Sequence, residues 1–282
     1  MEQQNQKQTK NKIAILVTGI GSIYLDYSKK MIASLLKTNP KITEVADIIL
    51  MTDKDFQTMG GTPHQMLYMT PWFAKALFKN YETVVRLDSD MVITGDISSC
   101  WEGDFDVAVV QNGNPREVQA QIAMMGKPVG VLDVDPLHDY VNCGFVVMKN
   151  EAFVDNWIRL CTPERQRIFQ FYEQDFLNIM VHYGNWKVKF LDKEDNHKWF
   201  GLIAKGYYAQ ARLKDGKLIL PAKSGTEQDT WPEDDFDREI VAIHFAEGAK
   251  ENKFDYINDK NFQPEVVTHL KSLITDGKTS GS

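Results

Sequence analysis

An α/β fold, with a mostly parallel, mixed central sheet covered by helices on both faces, is predicted by three observations. Short runs rich in β-branched residues alternate with amphipathic helical patterns through the first half of the chain. Those runs are apolar almost throughout, as strands buried on both faces are. No internal repeat and no linker rich in Pro, Gly or Ser divides the 282 residues, so the pattern belongs to one domain.

The elements follow in order. "IAILVT" (13–18) has the length and composition of a buried strand. Tyr24, Tyr27, Met31 and Leu35 recur at three- and four-residue spacings and predict a helix closed by Asn39-Pro40. "DIILMT" (47–52) is a second strand, and "PWFAKALFKN" (71–80) a helix with Pro at its first position. "TVVRL" (83–87), "DVAVV" (106–110) and "YVNCGFVVMKN" (140–150) are further strands. Amphipathic helices are predicted over 151–160 and 163–184, and strands at "WKVKFL" (186–191) and "IVAIH" (240–244). Residues 192–239 read as an irregular polar stretch, of the kind that is often functional. The expected domain spans 12–260, followed by a C-terminal helix over 261–275, with flexible tails at 1–11 and 276–282.

Composition narrows the function. The 32 Lys and Arg against 39 Asp and Glu leave a net charge of -7, which argues against nucleic acid as the main partner. No apolar stretch approaches the roughly 20 residues that span a bilayer, and "MEQQNQKQTKNK" lacks a signal peptide's apolar core. Cys100, Cys143 and Cys161 follow no metal-ligand spacing and are too few for a disulfide scaffold. A reducing, cytoplasmic location is the expectation.

The chemistry concentrates where the strand 83–87 ends. Asp88 and Asp90 repel each other unless a cation lies between them. The carboxyl ends of strands in open α/β sheets are where ligands bind. Strand side chains alternate, so residues 88 and 90 are expected to point the same way and to face one ion. Oxygen ligands suit Mg²⁺ or Mn²⁺, which keep room for substrate phosphates. His244 ends an apolar strand, and an imidazole suits a mixed N/O shell; Lys250 follows six positions later.

"VVRLDSDMVITGDIS" resembles the D-x-D region of retaining glycosyltransferases of family 8, which use nucleotide-sugar donors on a GT-A fold. Four further segments are similar in register: "TPWFAKALFKN" with Lys75, "VNCGFVVMKN" with Asn142 and Gly144, "YEQDFLNIM" with Gln174, Asp175, Leu177 and Asn178, and "HFAEGAK" with His244, Gly248 and Lys250. Cys143 stands where Ser or Thr is common, Glu173 where Asp is frequent, and Gly248 one place later than usual.

The resemblance implies a metal-dependent, retaining transfer of glucose or galactose from a UDP-sugar to a hydroxyl of a glycan, small molecule or protein. It implies Asp88, Asp90 and His244 as ligands of Mn²⁺ or Mg²⁺. Thr18, Lys75, Asp88, Asn142, Gly248 and Lys250 are expected on the donor, with Asp53 a weaker candidate. Gln174, Asp175 and Lys250 are expected in catalysis. Read without the resemblance, Gln174, Asp175 and Asn178 form a polar helix face, and Lys75 is a snorkelling surface lysine. Aromatic residues at Trp186, Trp199, Phe200, Tyr207, Tyr208 and Trp231 are expected either to anchor the irregular stretch or to form an acceptor platform. The rival readings are a sugar-1-phosphate nucleotidyltransferase and a non-catalytic module that binds a nucleotide sugar.

Overall fold

The computed structural model describes residues 12–62, 65–111, 140–166, 171–194, 198–201, 209–222, 236–246 and 252–275. The chain begins β1 (Ile13–Gly19), α1 (Ser22–Thr38), β2 (Ala46–Thr52), α2 (Asp53–Thr58), α3 (Met69–Phe78), β3 (Thr83–Leu87), β4 (Met91–Ile93) and β5 (Val107–Gln111). It continues with β6 (Val141–Met148), α4 (Glu151–Leu160), α5 (Pro163–Gln166), α6 (Glu173–Tyr183), β7 (Val188–Phe190) and α7 (Leu191–Glu194). β8 (Lys198–Trp199), β9 (Arg212–Lys214), β10 (Lys217–Leu220), β11 (Arg238–Ile240), β12 (Ala242–His244) and α8 (Pro264–Ile274) complete it.

The main sheet has six strands in the order β2-β1-β3-β6-β5-β7. β1 runs parallel to β2 and β3, β5 runs parallel to β7, and β6 is antiparallel to both its neighbours. Alternation sends successive side chains into two cores. Ala14, Leu16, Val84, Val146 and Met148 pack with Phe73, Phe153 and Trp157 of α3 and α4. Ile15, Val17, Val85, Phe145 and Val147 pack with Met31 and Leu35 of α1. Each fully buried Val, Leu, Ile, Phe or Met side chain among them contributes about 1.5–3 kcal/mol of transfer free energy. This is why the strands read as unbroken apolar runs.

The predicted helix over 163–184 is interrupted: α5 and α6 are separate, and Tyr172 adopts φ 44° immediately before α6. The Asp175 carboxylate accepts the Phe171 N–H four residues earlier, and Glu173 bonds Thr70 across 103 residues, so side-chain bonds at the start of α6 override the continuous helical period. The stretch 192–239 is not irregular throughout. β9 and β10 form a hairpin around Asp215 (φ 51°) and Gly216 (φ 77°), and β8-β11-β10-β9 make a second sheet. The positive φ values at an Asp-Gly pair are those of a tight primed turn. The strand expected over 240–244 bends at Val241 and serves two sheets, through β11 and β12. α8 joins a third core with Tyr27, Val92, Ile243 and Phe254. No helix among the described residues is long and apolar enough to cross a membrane.

Candidate functional site

The site is built where β3, β4, β6 and β12 meet. The chain leaves β3 at Leu87, turns at Ser89 and Asp90, and re-enters as β4. Strand alternation therefore does not align the two carboxylates. Pairing does: β12 lies antiparallel on β4 with His244 opposite Met91, and the Phe245 N–H donates to the Asp90 carbonyl at 3.0 Å. The Asp88 N–H donates to the Gly144 carbonyl at 2.8 Å, which fixes the third wall.

His244 Nε2 lies 3.3 Å from Asp88 Oδ2 and 3.2 Å from Asp90 Oδ1. One potential ligand atom from each of Asp88, Asp90 and His244 falls within 4.8 Å of the others. Asp88 Oδ1 pairs with Arg86, and Asp90 Oδ2 with Lys253. Every carboxylate oxygen of the pair thus faces a cation. Burial alone would raise both carboxyl groups. Arg86 and then His244 instead hold Asp88 well below the usual range, and His244 lowers Asp90. Burial also opposes the charge on His244, but Asp90 and Asp88 outweigh it and push the imidazole up to about 9. Two acidic oxygens and an imidazole at this spacing fit a divalent metal of the Mn²⁺ or Mg²⁺ type, provided His244 gives up its proton.

Gly144 makes the third wall possible. A Cβ there would lie 2.4 Å from His244 Cε1 and 2.7 Å from Asn142 Oδ1. Asn142 Oδ1 accepts the Gly144 N–H at 2.6 Å, and its Nδ2 donates to Gln174 Oε1 at 3.0 Å. Gln174 Oε1 also accepts the Cys143 N–H. Asn178 exchanges hydrogen bonds with both backbone groups of Val141. One face of α6 therefore pins the start of β6 beside the carboxylates.

Other expected site residues fall differently. Thr18 lies at the end of β1, paired with Met51, at the same rim as Asp88. Asp53 accepts the Gly21 N–H at 2.8 Å and so closes the turn after β1. Lys75 does not reach the site, which corrects its expected role on the donor. Its ammonium pairs with Glu151 and Asp155 at 2.7 and 2.8 Å. These acids belong to α4, which leaves β6 beyond Met148, opposite Val84 near the start of β3. Lys75 is therefore at the far rim. Asp175 is buried, and its two oxygens accept the Tyr140 hydroxyl at 2.6 Å and the Phe171 N–H at 2.9 Å. Burial raises its carboxyl. Gly248 and Lys250 lie outside the described residues, as do Tyr207, Tyr208 and Trp231. Trp199 and Phe200 are buried anchors, and Trp186 packs on Phe153.

Arg86, Glu173 and Lys253 were not expected here. Arg86 is buried and donates to the Cys143 carbonyl as well as to Asp88, with Glu173 Oε1 at 3.9 Å. A charged residue two positions before Asp88, inside an otherwise apolar strand, was the available signal. Glu173 accepts both the N–H and the hydroxyl of Thr70, and burial raises its carboxyl. Lys253 carried no comparable signal, since its distance from Asp90 in sequence is 163 residues.

A model of the family described as glycosyl transferase family 8 matches residues 20–251. The apo structure of WbbM, a bifunctional glycosyltransferase, superposes with TM-score 0.57 at 14% identity, over 95% of this chain and 50% of that one. This chain thus spans about half the length of WbbM. The galactosyltransferase LgtC, in complex with donor and acceptor sugar analogues, superposes with TM-score 0.53 at 13% identity, over 94% and 98% of the two chains. An active-site mutant of LgtC gives 0.55 at 14% identity, over 92% and 95%. At such identities the likeness establishes a shared fold, the GT-A fold of these glycosyltransferases. No curated protein sequence matches the chain.

Proposed function

The chain belongs to glycosyl transferase family 8, and from that membership we propose that it moves a hexosyl unit, glucose or galactose, from a UDP-sugar to an acceptor hydroxyl with retention. The enzyme is a glycosyltransferase. The observation that carries the finer reading is the convergence of Asp88, Asp90 and His244 within 4.8 Å at the active rim of the sheet.

In this reading Asp88, Asp90 and His244 hold Mn²⁺ or Mg²⁺. When bound, such an ion offsets the charge that grows on the departing diphosphate. The protein's own groups do the rest. Asp88 also faces the donor, and Thr18 and the backbone at Gly21 border the nucleotide. Asn142 and Gln174 present amides beside the metal ligands and orient the sugar. Gln174 is retained as a catalytic candidate, while Asp175 holds its helix in place. Arg86 fixes the Asp88 carboxylate, and with Glu173, held by Thr70, it supplies a polar wall for sugar hydroxyls. Gly248 and Lys250 keep, on resemblance, their roles at the diphosphate. Sugar transfer passes through a cationic, oxocarbenium-like state, which the carboxylates of this rim favour electrostatically.

We place the acceptor among hydroxyl-bearing glycans, small molecules or proteins, and the active unit in one domain that includes α8. The three cysteines are free thiols, which supports a reducing, cytoplasmic setting. The test is a panel of nucleotide sugars with Mn²⁺, reading released nucleoside diphosphate. UDP-glucose or UDP-galactose should be turned over, and Asp90→Ala should abolish turnover. Release from no nucleotide sugar, or release unaffected by Asp90→Ala, would overturn the reading.

A further inference from the structure

We propose that Lys253 is a built-in counter-ion that competes with the divalent cation for Asp90, and that the donor diphosphate draws it off, so metal and donor bind synergistically. The inference rests on the metal-dependent reading above and adds to it a residue and a binding order.

Lys253 is aimed at the site by a fixed backbone. Its N–H donates to the Tyr27 hydroxyl at 3.0 Å. The next residue, Phe254, is buried edge-on against Tyr27 and Phe245, at 5.3 and 6.0 Å between ring centroids. Asn252 caps the turn through the Phe254 N–H. The four-carbon stem then carries the ammonium to Asp90 Oδ2, with the Ala246 carbonyl at 3.4 Å as a second acceptor. The side chain is 13% exposed, so the pair is shielded from solvent screening.

The contacts support competition. Arg86 pairs with Asp88 and Lys253 pairs with Asp90, so each carboxylate already holds a basic side chain. Both oxygens of Asp90 are engaged, one by His244 and one by Lys253. A divalent ion at Asp90 must share a carboxylate with the ammonium a few ångströms away. Two cations at that range repel strongly where water is scarce. A diphosphate supplies new anionic oxygens, and a lysine is a flexible point charge suited to phosphate. Transfer of Lys253 from Asp90 to the diphosphate relieves the repulsion and adds a donor contact. By linkage, whatever the donor does for metal affinity the metal does for donor affinity.

The test reads Mn²⁺ directly, through loss of the free ion's paramagnetic resonance signal on binding. It uses the whole chain, with and without UDP. Lys253→Met and Lys253→Gln should each bind Mn²⁺ alone about tenfold more tightly than the unmodified chain. In both variants the further gain from UDP should shrink, and Lys253→Arg should restore the weak binding of Mn²⁺ alone. Equal or weaker Mn²⁺ binding in both neutral variants overturns this inference and leaves the metal-dependent reading standing. Absence of Mn²⁺ binding in every protein, with and without UDP, overturns both.

Discussion

A methyl group on Gly144 would meet His244 Cε1 at 2.4 Å and Nδ1 at 2.7 Å. Gly144→Ala should therefore displace the imidazole rather than unfold the chain, at a cost of about 1–3 kcal/mol. Mn²⁺ affinity should fall at least about tenfold while the circular dichroism spectrum is retained. An Ala variant with unaltered Mn²⁺ titration would show that the close approach is not needed. His244 gives a prediction in pH. Its folded pKa, about 9, lies above the ordinary 6.5. Its pairing with the carboxylates therefore stabilises the metal-free fold fully below about 6.5 and is lost as pH rises through about 9. Metal binding must expel the same proton. Mn²⁺ affinity should climb about tenfold per pH unit between 7 and 8.5, and His244→Gln should flatten that slope. A flat slope in the unmodified chain would remove His244 from the shell. At this scale the sequence shows the ligands but not their supports. Asp88, Asp90 and His244 stand at strand ends in apolar surroundings, where charge is conspicuous. Lys253 is an unremarkable residue until the fold brings it beneath Asp90.

Individual elements were legible where local periodicity and tertiary burial agree. β1, β2, β3, β5, β6, α1 and α4 lie within one or two residues of their predicted spans, because each presents a complete apolar run or stripe. Lys75 was misread for a reason of direction. Its position on α3 is clear from sequence, but the end of the sheet it faces depends on β6 being antiparallel and on where α4 departs. The β9–β10 hairpin was missed although Asp215-Gly216 is a turn signal, because its strands are short and half polar. Asp192 is the clearest case of a tie between elements that no motif announces. At the start of α7, it accepts the Phe200 N–H at 2.8 Å and the Gln111 N–H at 3.2 Å, so one carboxylate joins β5 to the segment after β8. Burial pushes its pKa up to about 6. Asp192→Ala removes the acceptor of two backbone donors and should destabilise the protein by about 2 kcal/mol or more in urea denaturation. A change under about 0.5 kcal/mol would mean the clasp is idle. Because the folded pKa lies above the unfolded one, Asp192 favours folding increasingly as pH falls from neutral through about 6.

The molecule as a whole follows from a strand-helix alternation that the sequence displays and a crossing that it conceals. The alternation dictates helices on both faces of a largely parallel sheet. The concealed part is the reversal at β6, which brings Asn142 and Gly144 up beside the end of β3, and the return of the distant β12 onto β4, with His244 opposite Met91. Those two pairings convert an acidic doublet into a pocket with three walls. The family match over residues 20–251 and the shared GT-A fold then agree with the chemistry this pocket offers. In the proposed function Asp88, Asp90 and His244 together grip one divalent ion that carries a nucleoside diphosphate. Anomalous X-ray scattering at the manganese edge, from crystals grown with Mn²⁺ and UDP, locates that ion. One strong peak is expected in contact with all three side chains and with the diphosphate oxygens. A bound UDP with no peak at that point, or a peak touching none of the three, would contradict it.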